Sequence, residues 1–337
     1  MKPLPRIAIY GAGMIGNYLG GRLHDHAHIR LIARPHVAAA LRAHGLSVSD
    51  LHGHQQQIAP DSLDLRTGPE AVRDADLVLV TVKSAATMDV AHELADILPA
   101  ETPVISFQNG VRNTAELRAA LPRHRVLAGM VPFNVTQPQT AHFHQGSSGE
   151  LAIEHATAIA PFLATFAASG MPLQQHEDMQ AVLWAKLLIN LNNPLNALSG
   201  LPLREQLAQR PWRQCLALLQ REGLRVLIAA GIRPAQLTAL PARWLPHVLA
   251  MPDALFRRIA ARMLAIDPVA RSSTWDDLQA GRRTEVDYIN GEIVALAASK
   301  KGRAPANARV VELVRQAERA YSPWHGQDLL QELMAAR

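Results

Sequence analysis

Short unbroken apolar runs alternate with amphipathic stretches through the first half of the chain, whereas amphipathic stretches dominate the second half. Arg6-Ile7-Ala8-Ile9-Tyr10 is the first such run, followed by Ile29 to Arg34, Asp76 to Lys83, Pro103 to Gly110 and Arg125 to Val131. Runs of this length, β-branched and bounded by polar or turn residues, predict strands buried on both faces, as in a parallel sheet. The Ala85 to Leu98 stretch between two of them predicts a helix, and strands alternating with helices predict an α/β sheet. A variable region lies around Leu46 to Leu65. From Ala158 onward nearly every window predicts helix: Val182 to Leu191, Trp212 to Ala230, Pro252 to Ile266, Thr284 to Ser299 and Ala308 to Tyr321. Gly170-Met171-Pro172, Ser199-Gly200-Leu201-Pro202, Gly231 to Pro234 and Gly302 to Pro305 punctuate them.

The first run leads directly into Gly11-Ala12-Gly13-Met14-Ile15-Gly16, a G-x-G-x-x-G between a strand and a helix. The first glycine permits a tight turn, the second lets backbone approach a pyrophosphate, and the third lets helix pack on strand. Phosphates then sit at a helix N-terminus, where free N–H groups and the dipole favour an anion. The plainer alternative is a glycine-rich turn without a ligand. The expected fold is therefore α/β: an N-terminal Rossmann domain with a parallel sheet over residues 1–170, and a C-terminal all-helical domain over 171–337. The active site is expected between them. Ligands of such sheets lie beyond the carboxyl ends of the strands, which places Lys83 and Asn109 near the cofactor. The second run ends Ala33-Arg34-Pro35, without the carboxylate that would bind a ribose 2′-hydroxyl. Arg34 there suits a 2′-phosphate, and so NADP(H) over NAD(H); a solvated strand-end arginine is the alternative.

Composition narrows the class. The 337 residues, 48% of them hydrophobic, allow two domains with separate cores. The single cysteine, Cys215, excludes a disulfide framework and fits a reducing cytoplasm. Neither a signal peptide nor a membrane span is expected. The formal charge of +5 is spread over Ala- and Leu-rich segments without a basic run among aromatics, so nucleic acid is not the expected partner. His24, His26 and His28, and the pair His142 and His144, lack metal-site spacing and are read as solvated.

Two segments carry candidate chemistry. In Trp184 to Pro194, Lys186 and Asn190 are four residues apart on one helix face. Asn193 returns within roughly 20° of Lys186 at 100° per residue. Asparagine is a poor mid-helix residue, so two aligned with a lysine point to a polar site; a solvated polar face is the alternative. Pro194 cannot donate to the carbonyl of Asn190, which frees that carbonyl or kinks the helix. The second segment runs from Arg271-Ser272-Ser273 to Asn290-Gly291. Thr284 and Asp287 have the spacing of a capping box, and Glu285 falls in the first turn beside it.

Taken in order, five motifs resemble the ketopantoate reductase (2-dehydropantoate 2-reductase) family over nearly the whole length. They are Gly11 to Gly16, Thr81-Val82-Lys83, Gln108-Asn109-Gly110, Leu183 to Leu187 with Asn190, and Ser272-Ser273 leading to Arg283 through Gly291. The resemblance implies an NADPH-dependent enzyme that reduces 2-dehydropantoate to (R)-pantoate, an intermediate of pantothenate and coenzyme A synthesis. It makes Lys186 the general acid and Glu285 a residue that orients the reacting end and touches the cofactor. Asn190 and Ser273 contact substrate, Asn109 serves substrate and nicotinamide, and Arg34 and Lys83 meet the adenosine side. Where the family has a second asparagine, this chain has Pro194, with Asn193 one position earlier as the candidate substitute. Another bulky 2-oxo acid, or a non-catalytic NADP sensor, are the alternatives. A small 2-oxo acid is the expected partner, and a homodimer stays open.

Overall fold

The computed structural model describes residues 3–259 and 270–336. The chain divides into two compact units, Met1–Met179 and Gln180–Arg337. The first unit runs β1 (Arg6–Tyr10), α1 (Met14–Leu23), β2 (His28–Ile32), α2 (Pro35–His44), β3 (Leu46–Asp50), β4 (Gln55–Ile58), β5 (Asp64–Arg66) and β6 (Leu77–Val80). It continues with α3 (Thr87–Ala95), β7 (Val104–Ser106), α4 (Asn113–Ala120), β8 (Val126–Met130), β9 (Val135–Gln139), β10 (His142–Gln145), β11 (Leu151–Glu154), α5 (Leu163–Ala168) and β12 (Leu173–His176).

Eight strands form one sheet in the order β12-β11-β8-β7-β6-β1-β2-β5, parallel throughout except where β11 meets β8. Its central strands β8, β7, β6 and β1 are buried almost throughout because both faces are covered. Ile7 and Ile9 join Leu31, Leu77, Leu79 and Ile105 in the core on one face, while Ala8 and Tyr10 join Val78, Val80 and Val104 on the other. The expected parallel α/β sheet is present. The unit extends past residue 170 because β12, which pairs in parallel with β11, completes the sheet. That strand interrupts the helical texture expected after Ala158, and its short Leu-Gln-Gln-His sequence explains why no strand was expected there.

The variable region around Leu46 to Leu65 supplies β3 and β4 of a second sheet, β4-β3-β10-β9. Helix α1 packs against β3 and β10, covering one face only, and β4 (Gln-Gln-Gln-Ile) is correspondingly polar. His142 and His144 of β10 both hydrogen-bond the Ser49 hydroxyl, each at 2.8 Å. Among the described residues no group of His, Cys, Asp and Glu is placed to hold a metal ion.

The second unit is helical: α6 (Met179–Asn190), which opens at the division, then α7 (Asn192–Ser199), α8 (Leu203–Ala208), α9 (Arg210–Ala229), α10 (Leu245–Leu249), α11 (Asp253–Ile259), α12 (Ser273–Gln279), α13 (Asn290–Ser299), α14 (Pro305–Ala317) and α15 (Gly326–Ala335). The 20-residue α9 is its hub, packing against α7, α8, α10, α13, α14 and α15. Arg213 is wholly buried in it, donating to the carbonyls of Leu207, Ala208, Leu249 and Met251 and to Asp253. These acceptors satisfy a guanidinium that would otherwise be costly to bury. Cys215 is buried in the same helix, and burial pushes its thiol up to about 12, which leaves it inert at neutral pH. The helix expected from Pro252 is present up to Ile259, and its remainder to Ile266 lies outside the described residues. No described helix is long and apolar enough to cross a membrane.

The helix expected from Thr284 to Ser299 is broken. A single 3-10 turn, Val286–Tyr288, precedes Ile289, and α13 begins only at Asn290. The capping box does not close, because Asp287 pairs instead with Arg315 at 2.6 Å. Glu318, just past the end of α14, accepts from both the Thr284 amide (2.8 Å) and its hydroxyl (2.7 Å). A long-range carboxylate has taken the place of the local partner.

Candidate functional site

In the first unit, the glycine motif occupies the turn between β1 and α1. Gly11 adopts φ +108°, and a Cβ there would come within 2.7 Å of Val82. A Cβ on Gly16 would come within 2.3 Å of the Gly11 carbonyl, which also accepts from the Thr81 hydroxyl at 2.7 Å. Around Gly13, by contrast, a Cβ would meet no atom within 4 Å. The first and third glycines are therefore demanded by the protein's own packing, and the second faces open space. Asn17 N bonds the Gly13 carbonyl at 2.9 Å, so the amides of Met14, Ile15 and Gly16 precede the first intrahelical bond. Ala12 is buried, and its amide donates to Ile32 at 3.1 Å, tying the turn to β2.

Arg34 is exposed in the turn between β2 and α2, and no ion pair holds it among the described residues. Lys83 is exposed beyond β6, at the start of a 3-10 turn. Asn109 follows β7 and is partly buried, its carbonyl accepting from Ser84 Oγ (3.0 Å) and from Asn113 Nδ2. Sequence reasoning passed over the polar side chains that fix this loop. Gln108 beside Asn109 was the available signal, a buried amide following a buried strand.

In the second unit, Lys186 and Asn190 lie one turn apart on α6. Burial pulls the Lys186 ammonium down to about 8, because removing solvent disfavours the charged form. Asn190 is buried, and its amide makes no hydrogen bond with another described residue. The chain breaks at Leu191, and α7 starts at Asn192. Pro194 thus falls in the first turn of a new helix, where no intrahelical donor is required. This is the interruption that Pro194 predicts.

Asn192 and Asn193 have different surroundings. Asn192 is buried and exchanges two amide hydrogen bonds with Gln206, at 3.0 and 3.3 Å. Asn193 is partly exposed, with its amide unpaired among the described residues. Its carbonyl accepts from Ser272 Oγ at 2.9 Å, and Ser272 N donates to Asn196 Oδ1 at 2.9 Å. Ser272 also caps α12 by accepting from Trp275 N. The first serine of the pair thus ties α12 to α7, while Ser273 is exposed beside it. Glu285 is partly buried at the start of the 3-10 turn whose preceding residue, Thr284, is held by Glu318.

The family model for ketopantoate reductase PanE/ApbA matches residues 7–157, and that for its C-terminal part matches residues 178–318. A 2-dehydropantoate 2-reductase from Halobacterium salinarum is 27% identical over 322 residues, covering 93% of this chain and 99% of its own. The crystal structure of a PanE/ApbA family ketopantoate reductase from Ralstonia eutropha JMP134 is 31% identical, with a TM-score of 0.79 over 94% of this chain and 99% of that one. D-mandelate dehydrogenase, solved with NADH and anilino(oxo)acetate, shares the fold at 18% identity, with a TM-score of 0.78 and coverage of 94% and 99%. With both family models matched in order over most of its length, the chain belongs to the ketopantoate reductase PanE/ApbA family of oxidoreductases.

Proposed function

We propose that this chain reduces 2-dehydropantoate to (R)-pantoate with NADPH, using Lys186 as the proton donor. The observation that carries the reading is a partly buried amine with a pKa near 8, one helical turn from the unpaired amide of Asn190. A general acid is most effective when its pKa lies near the working pH.

The residues of the first unit fit a dinucleotide. Gly13 opens onto space beside the amides of Met14, Ile15 and Gly16, which suits a pyrophosphate. Arg34 would take the 2′-phosphate, Lys83 the adenosine side, and Asn109 the nicotinamide end. When bound, the nicotinamide supplies a hydride to the 2-oxo carbon. Lys186 gives its proton to the carbonyl oxygen as negative charge develops there, and solvent then restores the ammonium. Asn190, Asn193 and Ser273 hold the carboxylate and hydroxyl of the substrate without adding charge, and Glu285 orients the reacting end.

Assay of 2-dehydropantoate against a panel of 2-oxo acids tests the assignment, with the highest kcat/KM expected for 2-dehydropantoate. Pro194, at the family's asparagine position, favours the second reading, reduction of another bulky 2-oxo acid. A tenfold higher kcat/KM on such an acid would establish it, and turnover of none would leave a dinucleotide sensor.

Arg34→Ala is expected to narrow the preference for NADPH over NADH by about 1–3 kcal/mol, the scale of a charge-assisted hydrogen bond. Equal affinity of the unaltered protein for the two dinucleotides would remove Arg34 from the site.

The two adjacent asparagines should separate function from stability. Asn193→Ala is expected to weaken substrate binding by about 1–3 kcal/mol and to leave the melting temperature nearly unchanged. Asn192→Ala leaves the wholly buried Gln206 short of a partner, so it should lower stability by roughly 1–3 kcal/mol and spare substrate affinity. Kinetics and thermal melts on both variants decide the matter, and the reverse pattern would overturn it.

A further inference from the structure

Five buried polar side chains surround the loops that follow β6 and β7 and hydrogen-bond one another and the loop backbone. Gln108 Nε2 donates to the Val82 carbonyl (3.2 Å) and to Thr87 Oγ1 (2.8 Å), while Gln108 Oε1 accepts from Ser106 Oγ (2.9 Å). Thr87 Oγ1 in turn lies 2.8 Å from the Ser84 carbonyl and 3.0 Å from Asn113 Oδ1, either of which can take its hydrogen. Asn113 Nδ2 uses one hydrogen on Ser84 Oγ (3.0 Å) and the other on the Asn109 carbonyl. The Ser84 hydroxyl completes the circuit by donating to that same carbonyl at 3.0 Å. Ser84, Thr87, Ser106, Gln108 and Asn113 are all nine-tenths or more buried.

Much of this circuit converges on one backbone atom. The Asn109 carbonyl accepts from two side chains on different elements, one in the loop after β6 and one at the start of α4. Gln108 meanwhile straps the β7 loop to the β6 loop. Neither Ser84 nor Asn113 is needed to pair a ladder position, and Asn113 caps no helix with its side chain. A satisfied buried network rigidifies the backbone it holds, whereas a partly satisfied one is costly.

We propose that Ser84 and Asn113 are positioning residues: by clamping the Asn109 carbonyl they fix the direction in which the Asn109 side chain meets the nicotinamide end of the dinucleotide. The inference rests on the placement of Asn109 in the proposed function. It adds two residues to the machinery that touch neither substrate nor cofactor.

Fluorescence titration with NADPH, and with NADH in parallel, tests this in a double-mutant cycle of Ser84→Ala and Asn109→Ala. Ser84→Ala is expected to weaken dinucleotide binding about three- to tenfold when Asn109 is present, and less than twofold in the Asn109→Ala background. Asn113→Asp, which keeps the shape and removes both donors, should give the larger loss with the same dependence on Asn109. If Asn113→Asp does not fold, the Ser84 arm alone returns the answer. An unchanged affinity for Ser84→Ala, or an equal loss in both backgrounds, overturns the clamp, since a merely structural residue acts independently of the Asn109 side chain. Because the readout is binding, a protein that turns over no 2-oxo acid fails the proposed function, and the binding cycle still decides for or against the clamp.

Discussion

Lys186→Met is expected to lower kcat by about 10²–10⁴ and to change how stability depends on pH. Both effects follow from one burial. The folded-state pKa of Lys186 is pulled from 10.5 to about 8 by desolvation. Between those values the unfolded chain binds more protons than the folded one, so stability rises with pH through the window. Below pH 8 the amine is charged in both states, and the full desolvation cost is present. At 1.36 kcal/mol per unit that cost is at most about 3 kcal/mol, and less for a side chain that solvent partly reaches. Methionine matches the length of the stem and carries no titratable group, so the rise in stability between pH 8 and pH 10.5 is expected to disappear in the variant. In the unaltered enzyme the same pKa should shape the rate. The kcat/KM profile, which reports the free enzyme, is expected to fall as pH rises through about 8. Steady-state kinetics and thermal melts at pH 7 and pH 10.5 check these outcomes together. Near-normal turnover in the variant would remove Lys186 as the acid, and a rise in stability between pH 8 and pH 10.5 that persists in the variant would show that another group is behind it.

What the sequence disclosed, and what it hid, follows from the range of the interactions involved. The parallel strands were legible because Ile7 to Tyr10 and Leu77 to Val80 are buried on both faces, which writes a continuous apolar run into a few residues. The break ahead of α7 was legible because Pro194 acts on the carbonyl four residues before it, a local effect. The second sheet was not, since β4 is three glutamines and an isoleucine held by pairing with β3, a partner its own pattern does not specify. The Thr284 capping box failed for the same reason. The spacing to Asp287 was right, but Glu318 and Arg315, from a distant helix, took the two groups it needed. At the candidate site Lys186 and Asn190 stood out by type and spacing, and Asn109 by its place beyond the end of a strand. The polar circuit behind Asn109 did not, because Ser84, Thr87 and Asn113 are ordinary loop and helix-start residues until the β6 and β7 loops are brought side by side.

The three glycines of the β1–α1 turn should respond to substitution in opposite ways. Gly13→Val is expected to weaken NADPH binding about 10- to 100-fold, equivalent to roughly 1.4–2.8 kcal/mol, and to leave the melting temperature within about 1 °C of the unaltered protein. The reason is that a Cβ at Gly13 meets nothing of the protein within 4 Å, and the backbone there (φ −86°, ψ −158°) is open to any residue. The added side chain therefore starts in open space, which under the proposed function is where a pyrophosphate sits. Gly16→Ala drives a Cβ to 2.3 Å from the Gly11 carbonyl, and Gly11→Ala adds a positive φ of 108° to a 2.7 Å contact with Val82. Both should destabilise the fold by about 2–4 kcal/mol, through backbone that cannot give way without moving β6 or α1. Fluorescence titration with NADPH and thermal melts on the three variants separate the cases. A Gly13→Val protein that binds NADPH normally would place the phosphates elsewhere. One that melts as low as Gly16→Ala would mean that the space beside Gly13 is needed by the fold itself rather than by a ligand.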